Sequence, residues 1–430
     1  MSPTRQRIAI IGAGISGLAS AYFLNRRHDV VLFEAGAYLG GHSNTVDVTL
    51  EGRTSGVDTG FLVFNERTYP NLIALFQELG VATIASDMSF GVSMDDGAME
   101  WAGTNLDTVF AQRAHLWSPS FLGMVKDILH FNRHASAYLV QCIETPTTLG
   151  QLLHRQRYGA RFREAYLLPM AAAIWSSSPH DILDFPAATF LRFCLNHGLL
   201  QVNDRPQWRT VTGGSRNYVE KIAATLPDRR RNCAVTSVRR AEGKLVVSSS
   251  VDGSASDEIF DGVVFATHAP TTLSLLADAD AAERAILGGV RYQPNRAWLH
   301  TDTRLMPRRR KVWSAWNYLS SPAQDGERPV CVTYWLNQLQ ALPFQTPVLV
   351  TLNPHTPPAP DTVHACFDYE HPVMDTATIA AQQQLPRIQG KDGIWYAGAW
   401  TGYGFHEDGL KSALRIAAAF DVAPDWMVLP

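Results

Sequence analysis

Cysteine is scarce in this chain, and its five copies, Cys142, Cys194, Cys233, Cys331 and Cys366, are odd in number, scattered and without C-x-x-C spacing. That pattern excludes a disulfide framework and a zinc site, and it suits a reducing compartment. No segment reaches about eighteen uncharged apolar residues, so no membrane span is expected. Arg5 and Arg7 precede an apolar run, but glycines break that run too early for a signal peptide. Neither sign of charge dominates: 37 Lys and Arg stand against 40 Asp and Glu, for a net charge of −3, which gives no bulk electrostatic case for nucleic acid. Internal repeats and long low-complexity tracts are also missing; the polar stretch Ser248 to Asp257 reads as a hairpin tip or loop. The expected location is the cytoplasm, or at most the inner face of a membrane.

What the chain does have is length and apolar mass. Its 430 residues, 46% of them hydrophobic, can build the cores of two or three domains. Near the N-terminus, Ile8 to Ile11 reads as a strand buried on both faces, and Gly12, Gly14 and Gly17 follow at G-x-G-x-x-G spacing. Gly12 permits a tight turn, Gly14 allows close approach of a pyrophosphate, and Gly17 lets the next helix pack on the strand. That helix, from about Ile15 to Arg26 and including Ser16, directs free N–H groups and a positive dipole end at a diphosphate. Val30 to Phe33 is a second buried strand, and Glu34 at its end can accept ribose hydroxyls of an adenosine, with Ala35 beside it. A carboxylate there repels a 2′-phosphate, which makes NADP the least suited dinucleotide.

Further motifs give a resemblance to the flavin-containing amine oxidase and phytoene desaturase superfamily. The segment AYLGGHSNT places Gly40 and Gly41 after the ribose glutamate, and DTG places Asp58 and Gly60 at a strand end. CAVTSVRRAEGKLVVSSS forms a hairpin through Val235, and FATHAP ends a buried strand at Thr267. GIWYAGAWTGYGFHEDGLKSA carries Gly398, Glu407, Asp408, Gly409 and Leu410 into a last helix. The resemblance implies an α/β fold: a Rossmann-type FAD-binding domain with a doubly wound parallel sheet, and an inserted α+β substrate domain. It implies noncovalent FAD, with the glycines of the first turn, Gly40, Gly41 and Gly398 along the cofactor, Asp58 and Gly60 near the ring, and the Asp408-Gly409 helix start at its pyrimidine. It also implies that Val235 passes the adenine. Where the superfamily places an arginine after the Gly-Gly pair, this chain has His42, so one charged phosphate contact is either missing or supplied by neutral groups such as Ser43 and Asn44.

The expected boundaries give the FAD-binding domain 1–81, 205–290 and 385–430, and the substrate domain 82–204 and 291–384. The first substrate segment reads as mostly helical, with helices over Phe121 to Tyr138 and Thr148 to Tyr158, then LLPMAAAIWSSSPHDI with Trp175 and a serine trio. The second reads as antiparallel strands carrying aromatics, Tyr334 among them. Arg308 to Lys311 reads as a hairpin turn, either simply solvated or in contact with anionic lipid or a partner.

PMAAAIWS, SAWNYL and YWLNQLQ look more closely like bacterial flavoproteins similar to the N-terminal flavin domain of plant cyclopropane fatty acid synthases. That resemblance implies a small apolar or lipid substrate, such as a modified or unsaturated fatty acyl chain, and a lipid methyltransferase as a partner. Three readings stay open: an oxidase, dehydrogenase or desaturase of an acyl chain; an amine oxidase using Trp400 and Tyr403 as an aromatic cage; and a redox-neutral flavoprotein such as a double-bond isomerase. His406 or Glu407 is the expected base, with Trp175, Tyr334, Trp400 and Tyr403 around the substrate and His371 nearby in sequence.

Overall fold

The structure is a computed structural model that describes residues 5–175, 179–201, 205–322 and 331–429. Ser176 to Ser178, the expected serine trio, lie outside the described residues. Five parallel strands form the first sheet, in the order Asp228–Arg230, Asp29–Phe33, Arg7–Ile11, Gly262–Phe265, Ile394–Tyr396. The first strand, β1 (Arg7–Ile11), is the central one because both its faces are apolar. Ile8 and Ile10 pack with Leu18, Leu24 and Leu414, whereas Ala9 and Ile11 pack with Val247, Phe265 and Leu287 on the other side. Strand order reverses at β1, and the crevice outside the carboxyl ends of such strands is where α/β sheets take ligands.

Helix α1 (Ile15–Leu24) follows β1, and the helix His406–Ala419 returns from the far end of the chain to pack on it. Gly409 makes that approach possible, since a Cβ there would lie 2.8 Å from Ile15 Cγ2 and 2.9 Å from Ser16 Oγ. The two ends of the sequence therefore meet at the start of α1.

A second, mixed sheet of seven strands has the order Val363–Pro372, Tyr292–His300, Leu349–Leu352, Cys331–Trp335, Trp316–Ser320, Phe90–Met94, Met99–Ala102. Its last two strands come from the region expected to be mostly helical. Asp95 and Asp96, both at positive φ, and Gly97 make the tight turn that pairs them. The remaining helices of that region cover the sheet. Pro119–Glu144 is longer at both ends than the sequence pattern suggested, its N-terminus capped by Ser118, and it buries Phe121, Phe131 and Tyr138 against Phe162 and its neighbours.

Two local expectations change. Ser248 to Asp257 is mostly paired strand, and the tip is only Asp252-Gly253 between Lys244–Val251 and Ser254–Phe260. Arg308 to Lys311 is not a hairpin turn, because Tyr292–His300 pairs with the strands at 349–352 and 363–372 and not with Trp316–Ser320. The run is held by acids instead: Arg309 pairs with the buried Glu100 at 2.8 Å, and Lys311 pairs with Asp107. Among the described residues no helix is long and apolar enough to cross a membrane.

Candidate functional site

One cavity of about 520 Å³ runs from the carboxyl end of β1 into the seam between the two sheets. Its first wall is the glycine turn. Gly12 adopts φ +97°, and a Cβ there would press on Ala266 O at 2.8 Å; at Gly17 a Cβ would collide with Gly12 O at 1.8 Å. Those two glycines serve the fold. Gly14 differs: a Cβ would meet no protein atom within 4 Å, so its missing side chain leaves room on the cavity side. Ile15 and Ser16 line the cavity next to it, and α1 begins there with no side-chain cap and no acidic residue in its first turn. Its free N–H groups and dipole end suit an anion.

At the end of β2 (Asp29–Phe33), Glu34 is fixed by accepting hydrogen bonds from Ala13 N and Gly36 N, both at 2.8 Å. Ala35, Cys233 and Val235 line the cavity beside it. A second glycine turn faces the first: Gly41, at φ +58°, comes so close that a Cβ would lie 3.1 Å from Gly14 Cα. Gly40, Gly41, Gly60, Thr267 and Gly398 all reach the lining. Opposed glycine turns, an uncapped helix start and a carboxylate at the next strand end fit a dinucleotide, whose diphosphate needs backbone donors and whose ribose needs an acceptor.

His42 follows the second turn and stacks on Tyr369 at 4.7 Å, with His371 at 5.2 Å. Burial, with His371, His268 and His406 close by, holds His42 well below the ordinary imidazole range. It is therefore neutral and supplies no cation at the position where the resemblance leads one to expect an arginine.

The other end of the cavity is aromatic. Trp175 meets Phe193 at 4.7 Å, Phe193 stacks on Phe405 at 5.0 Å and lies 5.7 Å from Tyr403, and Trp316 meets Tyr334 edge-on at 4.9 Å. Trp175, Tyr334, Trp400 and Tyr403 are all in the lining. Trp400, however, is 2% exposed and packs into the core under the parallel sheet, and no ring contact pairs it with Tyr403. Both rings border the cavity without touching each other.

His406 reaches the cavity, its ring stacked on Phe61 at 3.7 Å and its Nε2 bonded to Ser43 Oγ at 2.8 Å and Tyr218 OH at 3.2 Å. Burial pushes it down to about 3, so it is neutral at physiological pH.

Several expected site residues stand elsewhere, each for a visible reason. Glu407 turns away from the cavity and accepts from Asn71 N at 3.2 Å, Asn71 Nδ2 at 2.6 Å and Leu72 N at 2.9 Å. It thereby satisfies the open N-terminus of helix α2 (Pro70–Glu78), which its own N-cap Tyr69 leaves uncapped. Asp408 accepts from Phe405 N at 3.1 Å as the cap of its own helix, with burial raising it to about 6. Gly409 and Leu410 are interior packing, Leu410 at 0% exposure. Gly17 likewise packs helix on strand.

Asp58 is 1% exposed and outside the lining. It accepts from Ser215 N at 2.9 Å, Ser215 Oγ at 2.7 Å, Thr45 Oγ1 at 2.6 Å and Gln340 Nε2 at 2.8 Å, tying three distant segments together. Replacing Asp58 by Ala strands these buried donors and is expected to cost about 3 kcal/mol of stability in a urea titration; a loss under about 1 kcal/mol would contradict that role.

Tyr369 and Phe193 are cavity residues that sequence reasoning did not single out; His371, expected only as a sequence neighbour of His406, and Phe61 are cavity residues too. Tyr369 and His371 are two apart on one strand, the spacing that places side chains on one face. That strand can be read from its alternation, but not the glycine turn it faces. Cys366, the cysteine nearest the last helix in sequence, is exposed and outside the lining. Among the described residues no group of three or more His, Cys, Asp or Glu could hold a metal ion.

A family model described as an NAD(P)-binding Rossmann-like domain matches residues 10–79. No curated protein matches the sequence. Solved structures do match in fold. A CLA-producing fatty acid isomerase from P. acnes aligns over 96% of this chain and 98% of its own, at 16% identity and a TM-score of 0.63. Putrescine oxidase bound to putrescine aligns over 97% and 99%, at 15% identity and a TM-score of 0.66. Cyclohexylamine oxidase from Brevibacterium oxydans IH-35A aligns over 97% and 100%, at 16% identity and a TM-score of 0.64. Residues 10–79 thus match an NAD(P)-binding Rossmann-like domain, in a chain whose fold is similar along nearly its whole length to those of the isomerase and the two oxidases.

Proposed function

We propose that the protein is an FAD-dependent oxidoreductase, with the cofactor held noncovalently, acting at a C–H bond of an apolar substrate such as an unsaturated or modified acyl chain. The observation that carries this reading is the composition of the cavity at the end of β1. Its phosphate-type cradle opens into an aromatic chamber, and the described lining contains no Lys, Arg or Asp and only two carboxylates, Glu34 and Glu370. Glu34 is committed to the glycine turn, and Glu370 pairs with His268 at 3.1 Å. A charged amine would find no spare carboxylate at the Trp175 and Phe193 end, whereas an apolar chain finds the surface it needs.

A bound flavin supplies the hydride acceptor. The chain's own part is to exclude water through Trp175, Phe193, Tyr403 and Phe405, to orient the ligand between the two glycine turns, and to keep a neutral imidazole, His406, at the cavity wall. His406 is the candidate proton acceptor, and His406→Ala is expected to slow single-turnover flavin reduction about 100-fold. An unchanged rate would remove it from the chemistry.

A redox-neutral variant of this reading is favoured by the fold shared with the fatty acid isomerase. Anaerobic addition of unsaturated fatty acids and of amines to the holoprotein separates the outcomes. Bleaching by fatty acids is expected, conversion of fatty acid without net bleaching indicates the isomerase variant, and bleaching by amines alone would overturn the apolar-substrate reading.

A further inference from the structure

His371 sits at the cavity wall beside His42, and its neighbours fix which of its ring nitrogens carries the proton. The order of assignment starts from a backbone amide, whose direction is not open to choice. Arg296 N donates to Asn353 at 2.9 Å, so the accepting atom is the side-chain oxygen Oδ1. The remaining amide group of Asn353, Nδ2, then donates to Asn295 Oδ1 at 2.8 Å. Asn295 is 1% exposed, and its Nδ2 is left facing two acceptors, Gln293 O at 3.3 Å and His371 Nδ1 at 3.0 Å. An amide nitrogen only donates, so His371 Nδ1 must accept and the proton of the neutral ring lies on Nε2. Nε2 meets no hydrogen-bond partner among the described residues and is not among the buried, unpartnered atoms, while the residue itself lines the cavity.

We infer that His371 is a ligand-orienting hydrogen-bond donor, set by the Arg296–Asn353–Asn295 relay so that Nε2–H faces an acceptor atom of the bound dinucleotide. The route of contacts from the phosphate cradle supports the choice of ligand: Gly14 abuts Gly41, His42 follows it, and His42 packs on His371. Charged and titratable groups around the ring reinforce its neutrality. His42 comes from the second glycine turn, His268 from the bend after Gly262–Phe265, Glu370 is held by His268, and Tyr369 is occupied by Asn44 and Thr59. Burial, with His268 nearby, lowers His371 to about 4. The donor is therefore an uncharged N–H across the working pH range, which suits an acceptor whose charge must not be fully neutralised.

The inference rests on the FAD reading for the identity of the ligand but not for the tautomer, so two measurements separate their failures. In protein freed of ligand, long-range nitrogen–proton NMR is expected to show His371 as the neutral Nε2–H form from about pH 6 to 9. An Nδ1–H signal, or fast exchange between the two forms, would overturn the relay whatever the cofactor is. With FAD added, His371→Phe keeps a flat ring but removes the donor, and is expected to weaken FAD binding about 10-fold, as loss of one hydrogen bond to a buried acceptor implies. Asn295→Asp presents an acceptor to Nδ1 and so demands a proton there, leaving Nε2 protonated only when the ring is charged. FAD affinity in that variant is expected to become pH-dependent, close to the wild-type value at low pH and reduced about 10-fold at high pH, while the wild type stays flat. A merely packing role for His371 would not create that dependence. Equal FAD affinity and an unchanged flavin spectrum in His371→Phe, including the case in which only substrate KM rises, would overturn the assignment to the dinucleotide.

Discussion

Gly14→Val is expected to yield a folded, colourless protein, with its thermal midpoint within a few degrees of wild type and FAD affinity reduced at least about 30-fold. The asymmetry within the glycine turn is the reason. At Gly14 the backbone has φ −69° and ψ −177°, an extended conformation open to any residue, and an added Cβ meets no protein atom within 4 Å. The valine side chain therefore enters the cavity without straining the chain, and forcing atoms into space a ligand needs costs about 2 kcal/mol or more. Gly17→Val is expected to behave in the opposite way. Its Cβ would lie 1.8 Å from Gly12 O, so strand and helix must separate and the protein should not accumulate folded. Circular dichroism together with FAD titration distinguishes the two, and a Gly14→Val protein that binds FAD like the wild type would place the cofactor elsewhere.

Mild acid is expected to destabilise the fold strongly. His197, His300 and His371 are lowered to about 4 and His406 to about 3, in each case chiefly because burial disfavours the imidazolium. In the unfolded chain a histidine titrates near 6.5. Between about pH 6.5 and 4 the unfolded state therefore binds more protons than the folded one, and stability rises with pH. It is complete above about pH 6.5 and falls as the pH drops toward the folded values. Each histidine contributes up to about 1.4 kcal/mol per pH unit in that window, and four together are of the order of a domain's whole stability. His300 shows the cause most directly: it is fully buried, with Nδ1 accepting from Asp302 N at 3.0 Å and Nε2 against Thr351 Oγ1 at 2.7 Å, leaving no room for a second proton. The thermal midpoint should drop on the order of 10 °C between pH 7.5 and 5.5. A flat profile over that range would show that these imidazoles are hydrated.

The parts of this architecture that can be read from sequence are those whose signal is local. The apolar run of β1, the glycine spacing and Glu34 at the end of the next strand all lie within 28 residues and follow from periodicity and steric need. The doubly wound sheet and the inserted second sheet follow the same logic, together with the resemblance of the last helix.

Acidic residues were harder to place because one residue type serves both site and scaffold. Glu407 and Asp408 stand next to His406 in sequence, yet one caps α2 and the other caps its own helix. Which way Glu407 points depends on Asn71 and Leu72, more than 300 residues away. Asp58 was read from its motif alone, and its partners Ser215 and Gln340 lie 157 and 282 residues on. The hairpin from Phe90 to Ala102 lies among stronger helical signals, although its Asp-Asp-Gly turn is a legible mark. His371 shows what tertiary structure adds: its relay joins two strands and the bend after a third, and nothing in the order of residues ties Asn353 to Asn295.

Acid precipitation of the purified holoprotein, followed by flavin analysis of both fractions, tests whether this cavity holds FAD without a covalent bond. The expected result is about one FAD per chain, all of it in the supernatant, with FMN and NADP not detected. Flavin retained in the pellet would contradict the noncovalent assignment, and a protein that neither carries FAD nor takes it up on titration would contradict the account as a whole.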